Sequence, residues 1–191
     1  MNVMTKHILI LLLCALPALC GSIIADYTGV ADGCSANVAL NGTTVTGSAA
    51  VCAGSVVGVR GLGIAGGGSD LGLDLGETMT INFGVLATNV TIRIWDVEPA
   101  GNVTFGFTAS NDGGVIGFFS LPNLVVNPTT FNLSAIVGQA FSEITLSSSV
   151  SAPIGLQIQE VTYDGAVPEP GTLAFFALGL AGLAIGRSRR R

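Results

Sequence analysis

Thr78-Met79-Thr80-Ile81-Asn82-Phe83 and Val90-Thr91-Ile92-Arg93-Ile94-Trp95 decide the fold. In each, apolar and polar residues alternate, the period that sets one face of a β-strand on a core and the other towards solvent. The alternation recurs at Val103, Phe105 and Phe107, and again at Ile154, Leu156 and Ile158. Val161 and Tyr163 continue the last run with opposite parity, so an extra residue between the two halves is expected, as in a β-bulge. Shorter pieces at 56–59, 115–119, 129–133 and 143–146 bring the total to about eight or nine strands. Turn-forming residues separate them at 96–102, Asn111-Asp112-Gly113-Gly114, Pro122-Asn123, Asn127-Pro128 and 147–153, and Asp164-Gly165 reads as a further tight turn. No stretch holds a helical stripe, and the Gly, Thr, Val and Asn content opposes helices. Short strands with frequent turns and no fixed repeat predict an all-β sandwich or barrel.

Two hydrophobic segments frame this region. Lys6 and His7 precede an apolar run at 8–16, followed by Pro17 and small residues, the parts of a secretory signal peptide. Cleavage is expected after Cys20, Ser22 or Ala25, and residues 1–25 are assigned to the signal peptide. Cys20 would be lipidated only if a small residue preceded it, and Leu19 is bulky. At the other end, residues 171–186 would span roughly 24 Å as a helix, against a hydrocarbon core of about 30 Å. That is a marginal transmembrane helix. Arg187, Arg189, Arg190 and Arg191 follow it, and the positive-inside rule holds that end in the cytoplasm. A glycolipid-anchor signal fits less well, since such tails usually end apolar. Gly182 and Gly186 match the small-xxx-small spacing of paired membrane helices, but a short Gly- and Ala-rich tail accounts for them as well.

Val167-Pro168-Glu169-Pro170-Gly171-Thr172-Leu173, the Leu/Ala/Gly/Phe helix and the arginine tail together resemble a PEP-CTERM sorting signal. Proline fixes φ, lacks an N–H and biases the preceding residue away from the helix, so Val167 and Glu169 are pushed extended just before the apolar segment. An extended segment is what a processing enzyme can accept. The resemblance implies an exosortase as partner, transient residence in the inner membrane through residues 171–186, and export to the cell surface or matrix of a Gram-negative-type bacterium, in association with exopolysaccharide or biofilm. It also implies a jelly-roll-like β-sandwich for residues 26–166, in preference to an up-and-down barrel. Residues 167–191 form the sorting signal, with Pro168, Glu169 and Pro170 as its motif. The likeness covers the sorting route and not the cargo.

Composition narrows what the cargo does. Residues 26–166 carry eleven acidic side chains against two basic ones, Arg60 and Arg93, a net charge of −9. Binding to nucleic acid depends on Lys and Arg neutralising phosphates, which excludes it as a partner. The single His and the single Lys of the chain, His7 and Lys6, both fall in the signal peptide. Ser-His-Asp and Cys-His arrangements, Schiff-base lysines and His-ligated metals are therefore excluded from the ectodomain. Gly66-Gly67-Gly68 lacks the lysine of a phosphate loop and reads as a turn. Carboxylate chemistry is what remains for an enzyme. Asp96 and Glu98 share one strand end but no second motif supports a glycosidase, so no catalytic residues and no cofactors are assigned.

Cys14 and Cys20 sit in or beside the signal peptide, leaving Cys34 and Cys52 as an even pair in an oxidising compartment. A Cys34–Cys52 disulfide is expected. It closes a Gly/Ala/Thr/Asn-rich segment of weak core signal and is worth roughly 3 kcal/mol on the chain-entropy model. Asp70, Asp74 and Glu77 gather after a glycine run and are Ca²⁺ candidates, although the spacing is not that of an EF-hand and a solubilising loop explains them more simply. Trp95, Tyr27 and Tyr163 are the candidate sugar-stacking aromatics, with Trp95 on the polar side of its strand. The sequence thus predicts a non-enzymatic, exosortase-sorted surface or matrix protein, with a carbohydrate-binding or Ca²⁺-dependent adhesive module as the alternative. Alkylation of the exported protein without reductant is expected to leave Cys34 and Cys52 unlabelled; two reactive thiols would refute the bridge.

Overall fold

A computed structural model describes residues 21–56, 58–66, 71–96, 105–111, 114–121, 128–148 and 155–165. All lie in one compact unit, Gly21–Gly165. Residues 1–20 of the expected signal peptide (1–25), the sorting signal and the apolar segment 171–186 lie outside the described residues. So do Asp70, Glu98 and the loops around Pro99 and Pro122.

The unit is nearly all β. Its strands are β1 (Ser22–Asp26), β2 (Gly33–Leu40), β3 (Thr43–Val56), β4 (Val59–Ile64), β5 (Thr78–Asp96), β6 (Phe105–Asn111), β7 (Gly114–Leu121), β8 (Thr129–Asn132), β9 (Phe141–Ser148) and β10 (Leu156–Gly165). One 3-10 turn, Tyr27–Gly29, and one short helix, α1 (Leu133–Val137), complete it. Every strand pairing is antiparallel.

The runs at 78–83 and 90–95 are two halves of one strand rather than two strands. The first half of β5 pairs with β3 and β9, and the second half with β10 and β8. Between them the β5–β9 register is interrupted from Asn82 to Ala87. Gly84 has φ +67, which allows the strand to bend without steric cost. β5 thus passes from one layer to the other. β3 does the same, pairing with β5 through Thr44–Gly47 and with β4 through Val51–Val56. One layer runs β3-β5-β9-β6-β7; the other contains β8, the far half of β5, β10, β1 and β4. The β-sandwich so formed encloses a single core of side chains from both layers.

The bulge expected from the parity change is present. In β10, Ile158 faces Ile94 while Glu160 faces Arg93, so Gln159 is the extra residue. Ile158, Val161 and Tyr163 consequently all reach the core, each 0–1% exposed. Phe83, at the bend of β5, ties the layers together: its ring centroid lies 5.0 Å from Tyr163 and 5.8 Å from Phe141, both edge-on, a favoured aromatic geometry.

Several expectations need correction. The piece expected at 56–59 is not one strand: Val56 ends β3 and Val59 opens β4. Leu133 does not end a strand; Asn132 stops β8 and caps α1, its Oδ1 accepting from the Ala135 N–H at 2.9 Å. Asp164-Gly165 is not a turn but the end of β10, opposite Thr88 and Ala87. A glycine suits 165, because a Cβ there would come within 2.8 Å of the Val85 side chain and force it to shift. The segment of weak core signal is a hairpin of β2 and β3, and Cys34 and Cys52 stand directly opposite each other in its register. They form the expected disulfide, with an S–S distance of 2.06 Å. Finally, β1 pairs along its whole length with β10, and Ala25 is fully buried.

Phe83→Ala is expected to cost about 3–5 kcal/mol, because it removes the ring that both layers pack on. The midpoint of urea unfolding measures it.

Candidate functional site

Tyr27 and Tyr163 are not sugar platforms. Each is 1% exposed, and their hydroxyls converge on the turn between β2 and β3. That turn is Asn41-Gly42, with φ +46 and +81, the pair of positive values that a two-residue hairpin turn requires. Thr43 Oγ1 donates to Leu40 O at 2.6 Å, which uses its one proton. Tyr27 therefore donates to Thr43 Oγ1, at 2.8 Å. Tyr163 donates to Asn41 O at 3.2 Å, and Asn41 Nδ2 donates to Ile24 O on β1 at 2.7 Å. Only glycine fits at 42, since a Cβ there would lie 2.7 Å from the Tyr163 hydroxyl. Burial pushes the Tyr27 phenol up to about 12. Burial also raises Tyr163.

Of the Ca²⁺ candidates, Asp74 and Glu77 are described. The Asp74 N–H donates to Glu77 Oε2 at 2.8 Å, and the Glu77 N–H donates to Asp74 O at 3.1 Å, closing a turn in which Gly76 has φ +83. Among the described residues no group of three or more His, Cys, Asp or Glu side chains is placed to hold a metal ion. Residues 72–73 bridge β4 to β10 through Ile64–Gly72 and Leu73–Leu156. The backbone at Leu71 and Gly72 sits so close to Gly63 that a Cβ there would meet it at 2.2 Å.

Trp95 is half-buried near the end of β5, opposite Gln157 of β10. Gln157 is fully buried and donates to Leu71 O at 2.8 Å. Arg60 is held by its own contacts, donating to Thr28 O at 2.9 Å, Val30 O at 2.7 Å and Asp32 Oδ1 at 2.6 Å.

A feature that sequence reading missed lies on the outer face of the other layer. Thr46, Thr80, Thr145, Thr108 and Phe118 stand opposite one another in consecutive strands β3, β5, β9, β6 and β7. Thr80 and Thr145 share a hydrogen bond of 2.9 Å, which fixes both on one face. The adjoining row contains Thr44, Asn82, Glu143 and Ser110. Glu143 accepts from Asn82 Nδ2 and Ser110 Oγ, both at 3.2 Å. Phe118 ends the first row at 67% exposure, while Phe119 points inward and stacks on Phe107 at 5.3 Å. The signal was present: two consecutive phenylalanines in a strand must face opposite ways, so one must be outside. What hid it was a bulge in the β6–β7 ladder between Ala109 and Ser110, which breaks the period of β7.

The described chain is therefore a disulfide-stapled all-β sandwich. Residues 166–191 match the family model of the PEP-CTERM protein-sorting motif, so this is a chain with a PEP-CTERM motif, and the motif implies an exported protein sorted by an exosortase. No curated protein matches the chain. Two solved structures are similar in part. One is the family 89 glycoside hydrolase from Clostridium perfringens in complex with 2-acetamido-1,2-dideoxynojirmycin, at 18% identity and a TM-score of 0.38, covering 65% of this chain and 14% of that one. The chain thus matches only a small part of that hydrolase. The other is the family 32 CBM from C. perfringens NanJ in complex with galactose, at 12% identity and a TM-score of 0.35, covering 75% of this chain and 100% of that one.

Because the core accommodates the Tyr27 phenol only when protonated, its contribution is whole below the unfolded value near 10. It is lost as pH climbs through about 12, a decline on the order of 3 kcal/mol. Unfolding free energy measured against pH should fall across that window, and Tyr27→Phe should leave only the share due to Tyr163.

Proposed function

We propose that this is a non-enzymatic surface or matrix protein whose sandwich is delivered by a signal peptide and released or retained through exosortase processing near Pro168-Glu169-Pro170. The observation that carries the reading is the match of residues 166–191 to the sorting motif. The lack of His and Lys in the ectodomain supports a non-catalytic role, since it removes His-activated nucleophiles, Schiff-base lysines and His-ligated metals and leaves carboxylate chemistry alone. The sandwich is of jelly-roll-like character, an arrangement supported by antiparallel pairing throughout and by two strands that pass between layers. In this reading residues 171–186 hold the protein transiently in the inner membrane, Arg187, Arg189, Arg190 and Arg191 stop its transfer, and the destination is an exopolysaccharide or biofilm layer. Signal-peptide cleavage after Cys20 leaves β1 whole, whereas cleavage after Ala25 would strip most of it from β10.

Deleting residues 167–191 is expected to abolish processing and surface retention while leaving export intact. Fractionation and mass spectrometry of the mature C-terminus read this. Unchanged sorting of the truncated chain would overturn the proposal.

A further inference from the structure

We propose that the outer face of the β3-β5-β9-β6-β7 layer binds a neutral glycan chain, with Phe118 as its stacking platform. Phe118 is exposed, yet it is held in place. The far end of its ring (Cζ, Cε1 and Cε2) lies over Gly106, where a Cβ would meet Cζ at 2.3 Å. The missing side chain at 106 lets the ring settle on the sheet rather than project from its edge. An apolar ring so placed suits the C–H face of a pyranose.

The hydroxyl row leading to Phe118 supplies the polar half of such a site. Thr46, Thr80, Thr145 and Thr108 lie one per strand. With neighbouring strands about 4.8 Å apart, the row reaches roughly 19 Å from Thr46 to Phe118. A threonine hydroxyl donates once and accepts twice; the bond between Thr80 and Thr145 uses one of their protons, and the row still offers both donors and acceptors to sugar hydroxyls. The spacing is regular because the strands set it, and it is rigid because every strand in the row is paired on at least one side by a ladder. A regular polymer fits a regular array better than a compact solute does.

Charge selects the occupant. Across the two rows Glu143 is the sole ionisable side chain, and Asn82 and Ser110 both donate to it. The surrounding ectodomain has a net charge of −9, which repels anionic polymers. Among the described residues no cluster of basic or acidic groups marks the face for an ionic partner. A neutral, polyhydroxylated chain is what remains. This inference rests on the reading of a non-enzymatic surface protein, but it is tested by binding and not by localisation, so the two can fail separately.

The test is affinity electrophoresis of the purified full chain in detergent, through native gels containing soluble glucan, mannan, galactan or xylan, with alginate as the anionic comparison. Retardation is expected in at least one neutral gel and not in alginate. Phe118→Ala should weaken it at least tenfold, and Phe118→Trp should preserve it. Gly106→Ala, which pushes the ring off its seat, should weaken it by a similar factor. Thermal melting should be nearly unchanged for the two Phe118 variants, since the side chain is exposed. The proposal is overturned by free passage through every neutral gel, or by retardation that Phe118→Ala does not alter. Retardation lost in Trp95→Ala but kept in Phe118→Ala would also overturn it, moving the site to the strand end. A dimer in sedimentation that Phe118→Ala dissociates would assign the face to a second copy of the chain instead.

Discussion

Everything in this sandwich hangs on the hydrogen-bond ladder along β5. Its near half lies between β3 and β9, and its far half lies between β10 and β8. A strand so long and paired on both edges cannot slip by one residue without turning Met79, Ile81, Ile92 and Ile94 out of the core together. Its register therefore fixes that of four neighbours. The bend between Asn82 and Ala87 then decides how the two layers face each other, and Phe83 at that bend is the side chain on which both close.

Close backbone approach is the second constraint. Where residues 71–74 run between β4 and β10, the contacts are main chain on main chain at Gly63, Gly72 and Gly155. Larger residues at these places would force the strands apart. Buried amides then substitute for ladder bonds, as Gln157 does to Leu71 O and Gln159 to Arg60 O. At the opposite end, two tyrosines hold the Asn41-Gly42 turn by their hydroxyls. Both tyrosines that composition offered to ligands are thus absorbed by the fold, while Trp95 stays half-buried near the end of β5.

Much of the architecture was legible in the chain. Strict alternation marked both halves of β5, and the parity change in β10 marked its bulge. The two ectodomain cysteines sufficed to indicate the bridge. What was not legible had physical reasons. β1 is short and overlaps residues 1–25, which read as a signal peptide from sequence, so its own alternation is masked. β2 and the start of β3 carry few large side chains, so Asn41-Gly42 was the only strong sign of their hairpin. Asp164-Gly165 carried turn chemistry, but tertiary packing against Val85 placed it in a strand. An outward phenylalanine was legible in Phe118-Phe119, but the threonine row that leads to it spans five strands, and only their mutual register brings it together.

The last strand has a mechanical consequence. β10 ends at Gly165, and the matched sorting motif begins at residue 166. A pull on the chain beyond Gly165 would reach the domain through β10, which is hydrogen-bonded to β5 on one edge and to β1 and β4 on the other. Tension along that strand loads the transverse ladder bonds in parallel and not one after another. Wherever a load runs along β10, the sandwich meets it in shear, the geometry in which antiparallel strands resist extension most.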